Sequence, residues 1–170
     1  MDSASLEGLG LRGLHAQERR CRDTGCVTED VGPARPGGLA WRTFSLRVMR
    51  ASWGIAIDLR ARAVIGDDLP PDSLPAGDRV ALAVNGVQLE AEEVEQLLRG
   101  LGLMAPAIEA AHPDVHVLVR LGAVSFTPTD YQPEGLVAAM IGWAAEEFGL
   151  EQVPWDLRFD KSTNRYLLQV

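Results

Sequence analysis

Cysteine is nearly missing from this sequence: Cys21 and Cys26 are the only two in 170 residues. No disulfide framework can hold such a chain together, and a reducing compartment, the cytoplasm, is the expected setting. Lysine is scarcer still, with Lys161 alone against fifteen arginines, a bias read as the mark of a GC-rich genome. No apolar run approaches the roughly eighteen residues that a membrane helix needs, and no basic start with an apolar stretch opens the chain. Neither a membrane span nor a secretion signal is therefore expected. Also missing are a Gly-x-Ser-x-Gly elbow, a phosphate-binding Gly-x-x-x-x-Gly-Lys run and a Gly-x-Gly-x-x-Gly turn. Their absence lowers the expectation of a common hydrolase, P-loop NTPase or dinucleotide enzyme, and no cofactor is anticipated.

What is present is an ordinary globular composition, 46% hydrophobic and 24% charged, with a formal net charge of -8. Residues 1–46 hold six arginines and six acids, so the excess belongs to residues 47–170, with ten basic and eighteen acidic groups. A polyphosphate partner needs a positive surface. The charge therefore favours a basic or neutral protein partner, or self-association, over nucleic acid.

Residues 1–46 contain seven glycines, Pro33 and Pro36, and no sustained period of 2 or 3.6. The expectation is a disordered tail or a mis-called start, with a single α+β domain over 47–170. Removal of 1–46 should then be silent. From Ile55 to Ala63 apolar residues alternate with Asp58, Arg60 and Arg62, the period of a half-buried strand. Gly66 to Gly77 is proline- and aspartate-rich and reads as a loop. Val80, Leu82 and Val84, then Asn85-Gly86, then Val87 and Leu89 read as a tight hairpin. Val94, Leu97, Leu98 and Leu101 mark an amphipathic helix expected to break at Gly100 and Gly102, with a further short helix from Met104 to Ala111. Val115 to Leu121 alternates as a central strand, and the run from Ala123 either continues it past a bulge or turns back. Pro133 opens and Gly149 caps the most hydrophobic helix. Trp155 to Phe159 and Tyr166 to Val170 form a closing hairpin. The sum is an α+β two-layer sandwich, a mostly antiparallel sheet with two main helices on one face.

Residues from about 79 to 149 resemble the fourth domain of elongation factor G and the ribosomal protein S5-like fold. The carriers are Asp114-Val115-His116-Val117, Gly122, and Asp130 followed by Glu134 and Ala138-Ala139. The glycine-rich loop of that domain is missing here. The resemblance implies a fold, and a translation-related role only by analogy; it implies no GTPase activity and no functional residue.

Three constellations could carry chemistry. His15, Cys21 and Cys26 offer three zinc ligands where a structural site takes four, so no metal site is expected. His112, Asp114, His116 and Asp130 could pair an imidazole with a carboxylate as base and orienter or as ligands; the simpler reading makes them solvated loop residues. Trp143, Trp155, Phe159 and Tyr166 could line a pocket, although their spacing suits plain core. The preferred functional reading is a non-catalytic binding or accessory protein, acting through an acidic surface or an exposed sheet edge. The alternatives are a ligand-binding or enzymatic domain built on the His112 neighbourhood, and a translation-related factor.

Overall fold

The computed structural model describes residues 40–50, 53–160, 162 and 165–170, all within the unit Ala34–Val170. Alternation of apolar and polar residues builds β1 (Arg42–Arg50) and the long β2 (Trp53–Gly66), which pair antiparallel from Arg42 opposite Ala61 to Arg50 opposite Trp53. Then follow β3 (Leu74–Pro75), β4 (Val80–Ala83), α1 (Ala91–Ala111), β5 (His116–Phe126), a 3-10 turn (Pro128–Asp130), α2 (Glu134–Phe148), β6 (Asp156–Asp160) and β7 (Arg165–Gln169). The main sheet runs β1-β2-β5-β4-β3, antiparallel except for the β4–β5 ladder, and β6 and β7 form a separate hairpin. The fold is α+β, and β5 is the central strand, as its two-sided apolar pattern implied.

Both helices lie on the face to which β2 turns Ile55, Ile57, Leu59, Ala61 and Ala63, none more than 1% exposed. α2 packs along β1 and β2 and is buried from Gly135 through Ala145. A helix apolar on so many faces needs cover all round. The sheet, α1 and the β6–β7 hairpin supply it. Gly149, at φ 63°, takes the left-handed conformation that ends α2.

Four expectations need correction. The division expected between residues 46 and 47 falls inside β1: Leu46 is 4% exposed and Phe44 packs against the core. Residues 1–39 lie outside the described residues. The expected hairpin after Asn85-Gly86 is a turn into α1, closed by the Val87 N–H donating to the Val84 carbonyl at 3.1 Å, with Gly86 at φ 85°. No return strand can pair with β4, because β5 and β3 occupy both its edges; β3 itself arises in the stretch read as plain loop. Finally, α1 does not break at Gly100 and Gly102 but runs unbroken to Ala111 through Pro106. Gly100 serves a helix crossing instead of a helix end: a Cβ there would lie 2.7 Å from the Val137 carbonyl oxygen and 2.9 Å from the Met140 Cβ.

Candidate functional site: the arginine face of the sheet

The face of the sheet turned away from the helices takes the polar half of each strand's alternation. At the β3 end it is closed by Ala81, Ala83 and Leu118 with Val64 and Leu69. At the β1 end it is polar. Ser45 lies opposite Asp58 and donates to its carboxylate at 2.6 Å, while Arg47 meets the same oxygen at 2.7 Å. The hydroxyl first, and then the guanidinium, hold the Asp58 carboxyl below its ordinary value.

A depressed carboxyl contributes stability that is complete above its unfolded pKa, about 4, and is lost as pH falls through the lower folded value. Wild-type protein should therefore lose more stability than Asp58→Asn across that acid window. The effect should be small, since Asp58 keeps 39% of its side-chain surface in solvent. Acid melts of the two chains check it; parallel curves would exclude the contribution.

Between these two zones the charge is uncompensated. Arg60 and Arg62 project from β2, and Arg120 stands directly opposite Arg62 on β5. None of the three has a carboxylate within ion-pair distance among the described residues, and the Arg62 Nε is buried without a hydrogen-bond partner. The Trp41 ring lies beside them, with the Arg60 and Arg62 guanidinium carbons 5.2 and 4.7 Å from its centre. The ladder makes room for it. Pairing passes from Arg60 opposite Ala123 to Ala61 opposite Leu121, which leaves Gly122 as the extra residue of a bulge. A Cβ on Gly122 would fall 2.5 Å from the Trp41 ring. Beside Trp41 opens a hollow of about 530 Å³ lined by Ala40, Trp41, Arg42, Thr43 and Glu147.

Cation–π contact with Trp41 offsets part of the repulsion, by about 0.5–1 kcal/mol per exposed pair. Like charges directly opposite one another on a ladder remain unfavourable by a similar amount. The chain as a whole is acidic, yet this face is basic.

Of the four residues expected to share a site, Asp130 lies apart from the other three. His112 ends α1, its Nδ1 3.2 Å from the Ile108 carbonyl oxygen and its ring edge-on to Phe148. Asp114 is exposed, and His116 opens β5 opposite Gly66. Asp130 follows the far end of that strand, and eleven residues at about 3.3 Å each put roughly 30 Å between the two ends. Among the described residues no group of three His, Cys, Asp or Glu could hold a metal ion; His15, Cys21 and Cys26 lie outside them. Trp143 is fully buried and Tyr166 is 3% exposed, so these two are core, with Trp155 half-buried against that core; Phe159, beside Tyr166, is 37% exposed. Tyr131 stacks on Phe126 and donates to Glu93 at 2.5 Å. Burial first, then that hydrogen bond and the Glu93 charge, keep its phenol protonated far above the ordinary tyrosine range.

Arg60, Arg62 and Arg120 were visible in the strand period as outward positions, but as single polar residues. Their neighbourhood was not, because Trp41 fell outside the expected domain. Among the described residues no helix is long and apolar enough to cross a membrane. No family model, no curated protein and no solved structure matches the chain.

Proposed function

We propose that this chain is a non-catalytic binding protein whose working surface is the arginine face of its sheet, and that its partner is an acidic segment of another protein. The observation that carries the reading is the cluster of Arg60, Arg62 and Arg120, which has no counter-charge among the described residues. A carboxylate ligand would satisfy guanidinium donors in the planar, paired geometry that favours arginine over lysine. Nucleic acid fits less well. The excess of acids over bases in residues 47–170 repels any anion at long range. A polyphosphate, charged at every nucleotide, meets more of that repulsion than a short acidic segment whose carboxylates reach only the arginine cluster. Trp41, 37% exposed and contacted by two guanidiniums, also leaves little free ring for base stacking. The scarcity of cysteine supports a cytoplasmic setting.

The test compares wild type with Arg60→Gln/Arg62→Gln/Arg120→Gln for retention of polyglutamate and of oligothymidylate at low and high salt. Wild type should hold polyglutamate in a salt-sensitive way, and the variant should lose at least about tenfold in affinity. The variant should also melt close to wild type, since relief of the Arg62–Arg120 repulsion offsets the loss of the two Trp41 contacts. Equal binding by both chains would sink the reading. Stronger retention of the oligonucleotide would transfer the face to nucleic acid.

A further inference from the structure

The same region offers a second recognition element, the outer edge of β1. In the order β1-β2-β5-β4-β3 this strand is terminal, and among the described residues it pairs with β2 alone. Its nine residues contain neither proline nor glycine and keep unbroken register with β2. These are the features that natural edges normally avoid.

The direction of its backbone groups follows from one side chain. The Arg47 Nη1 lies 2.8 Å from the Leu46 carbonyl oxygen and 3.1 Å from that of Ile57. Two carbonyls served by one nitrogen must both point into the seam between β1 and β2. Leu46 and Ile57, directly opposite, are therefore a hydrogen-bonded pair. By the alternation of an antiparallel ladder, Thr43, Ser45, Arg47 and Met49 then turn their N–H and C=O groups outward. Those four side chains share the arginine face with Arg60 and Arg62. The intervening Phe44 and Val48, only half-buried, lie on the core side.

From this we infer that β1 accepts an extended segment of a partner protein as a sixth strand, and that the segment alternates acidic with apolar residues. The inference rests on the acidic-partner reading above. Main-chain hydrogen bonds to the outward groups would supply affinity, and alternate side chains would supply specificity. Acidic positions would meet the arginine face, and apolar ones would cover Phe44 and Val48. A second copy of this chain is the poorer occupant: β1 carries three arginines and no acid, so self-pairing adds positive charge to positive.

The probe is a synthetic peptide alternating valine and glutamate over about ten residues, read by fluorescence anisotropy and by amide hydrogen exchange of the protein. The expected result is binding by wild type, with slowed exchange at Thr43, Ser45, Arg47 and Met49. Thr43→Pro removes one outward N–H and leaves the inward ladder intact, a substitution edge strands tolerate; it should weaken binding about tenfold or more. Arg60→Gln/Arg62→Gln should weaken it similarly. If Thr43→Pro binds as wild type while the arginine variant fails, the edge proposal falls and the face reading stands. Loss with Thr43→Pro alone keeps the edge and removes the face. Should Thr43→Pro not fold, exchange on wild type decides: unprotected amides in the presence of bound peptide overturn the proposal. A wild-type dimer in sedimentation that blocks peptide binding would overturn it as well.

Discussion

A chain beginning at Arg47 is expected to be unfolded under conditions where one beginning at Ala40 is native. The seven residues that separate them hold the first five of β1, paired with Ala61 through Ile57. Loss of Leu46, 4% exposed, costs about 2–5 kcal/mol by comparison with core truncations, and loss of Phe44 has a similar order. Phe44 fills the place where a side chain on Gly142 would otherwise stand, so its removal leaves a void against α2. Arg42 adds a smaller effect. Its Nε holds the Glu147 carboxylate at 2.8 Å, a carboxylate only 3% exposed whose other oxygen lacks a partner. Because the arginine itself is half exposed, stripping it costs about 1 kcal/mol. These losses together match the whole stability of an ordinary domain, about 5–15 kcal/mol. Circular-dichroism melts of the two chains check the expectation; midpoints within a few degrees of each other would refute it.

Gly100→Ala is the substitution expected to be most harmful for its size. On an exposed helix, replacing glycine by alanine stabilises by about 1 kcal/mol. Here the added Cβ would meet the Val137 carbonyl oxygen at 2.7 Å, the Met140 Cβ at 2.9 Å and the Val137 Cα at 3.1 Å. Two of these are backbone atoms of α2, which cannot swing aside as a flexible side chain can, so α1 and α2 must separate. Overpacking of this kind costs about 1–3 kcal/mol or more, and the net sign reverses. Gly102→Ala, whose Cβ would meet only the Ala76 carbonyl oxygen at 3.3 Å, serves as the control and should be far milder. Denaturant unfolding gives both values. A Gly100→Ala protein more stable than wild type would show that the helices do not cross as described.

The contrast between Gly100 and Gly86 shows what the sequence could convey. Both read as punctuation. Gly86 turns the chain because its backbone sits at φ 85°, a local property that Asn-Gly signals directly. Gly100 is demanded by another helix, and nothing in α1's own stretch announces that neighbour. The long alternation of β2, the two-sided pattern of β5 and the apolar α2 were legible for the same reason as Gly86: each period is written within one element. β1 was not, since Phe44, Leu46 and Val48 alternate over too few residues to stand out beside the glycine-rich text before them. The arginine face was half legible. Period alone turns Arg60, Arg62 and Arg120 outward, but only the pairing of β2 with β5, strands far apart in the chain, places Arg120 opposite Arg62. A net charge summed over the chain pointed the other way, because it carries no information about which face holds which sign.

The position of β5 sets the order in which the molecule can assemble. β1 and β2 adjoin in sequence and can close as a local hairpin within microseconds. β2 has its other neighbour at Gly66 opposite His116 and Ile57 opposite Phe126, so that seam cannot zip from a nearby turn. β4 waits for the same strand. Closing such long loops is entropically costly and slows folding toward the millisecond-to-second range typical of non-local sheets. During synthesis, every residue up to the end of α1 has been made before the strand that joins the two halves of the sheet exists. Throughout that interval the edges of β2 and β4 that later pair with β5 have no partner strand and stand open to mispairing and to chaperones.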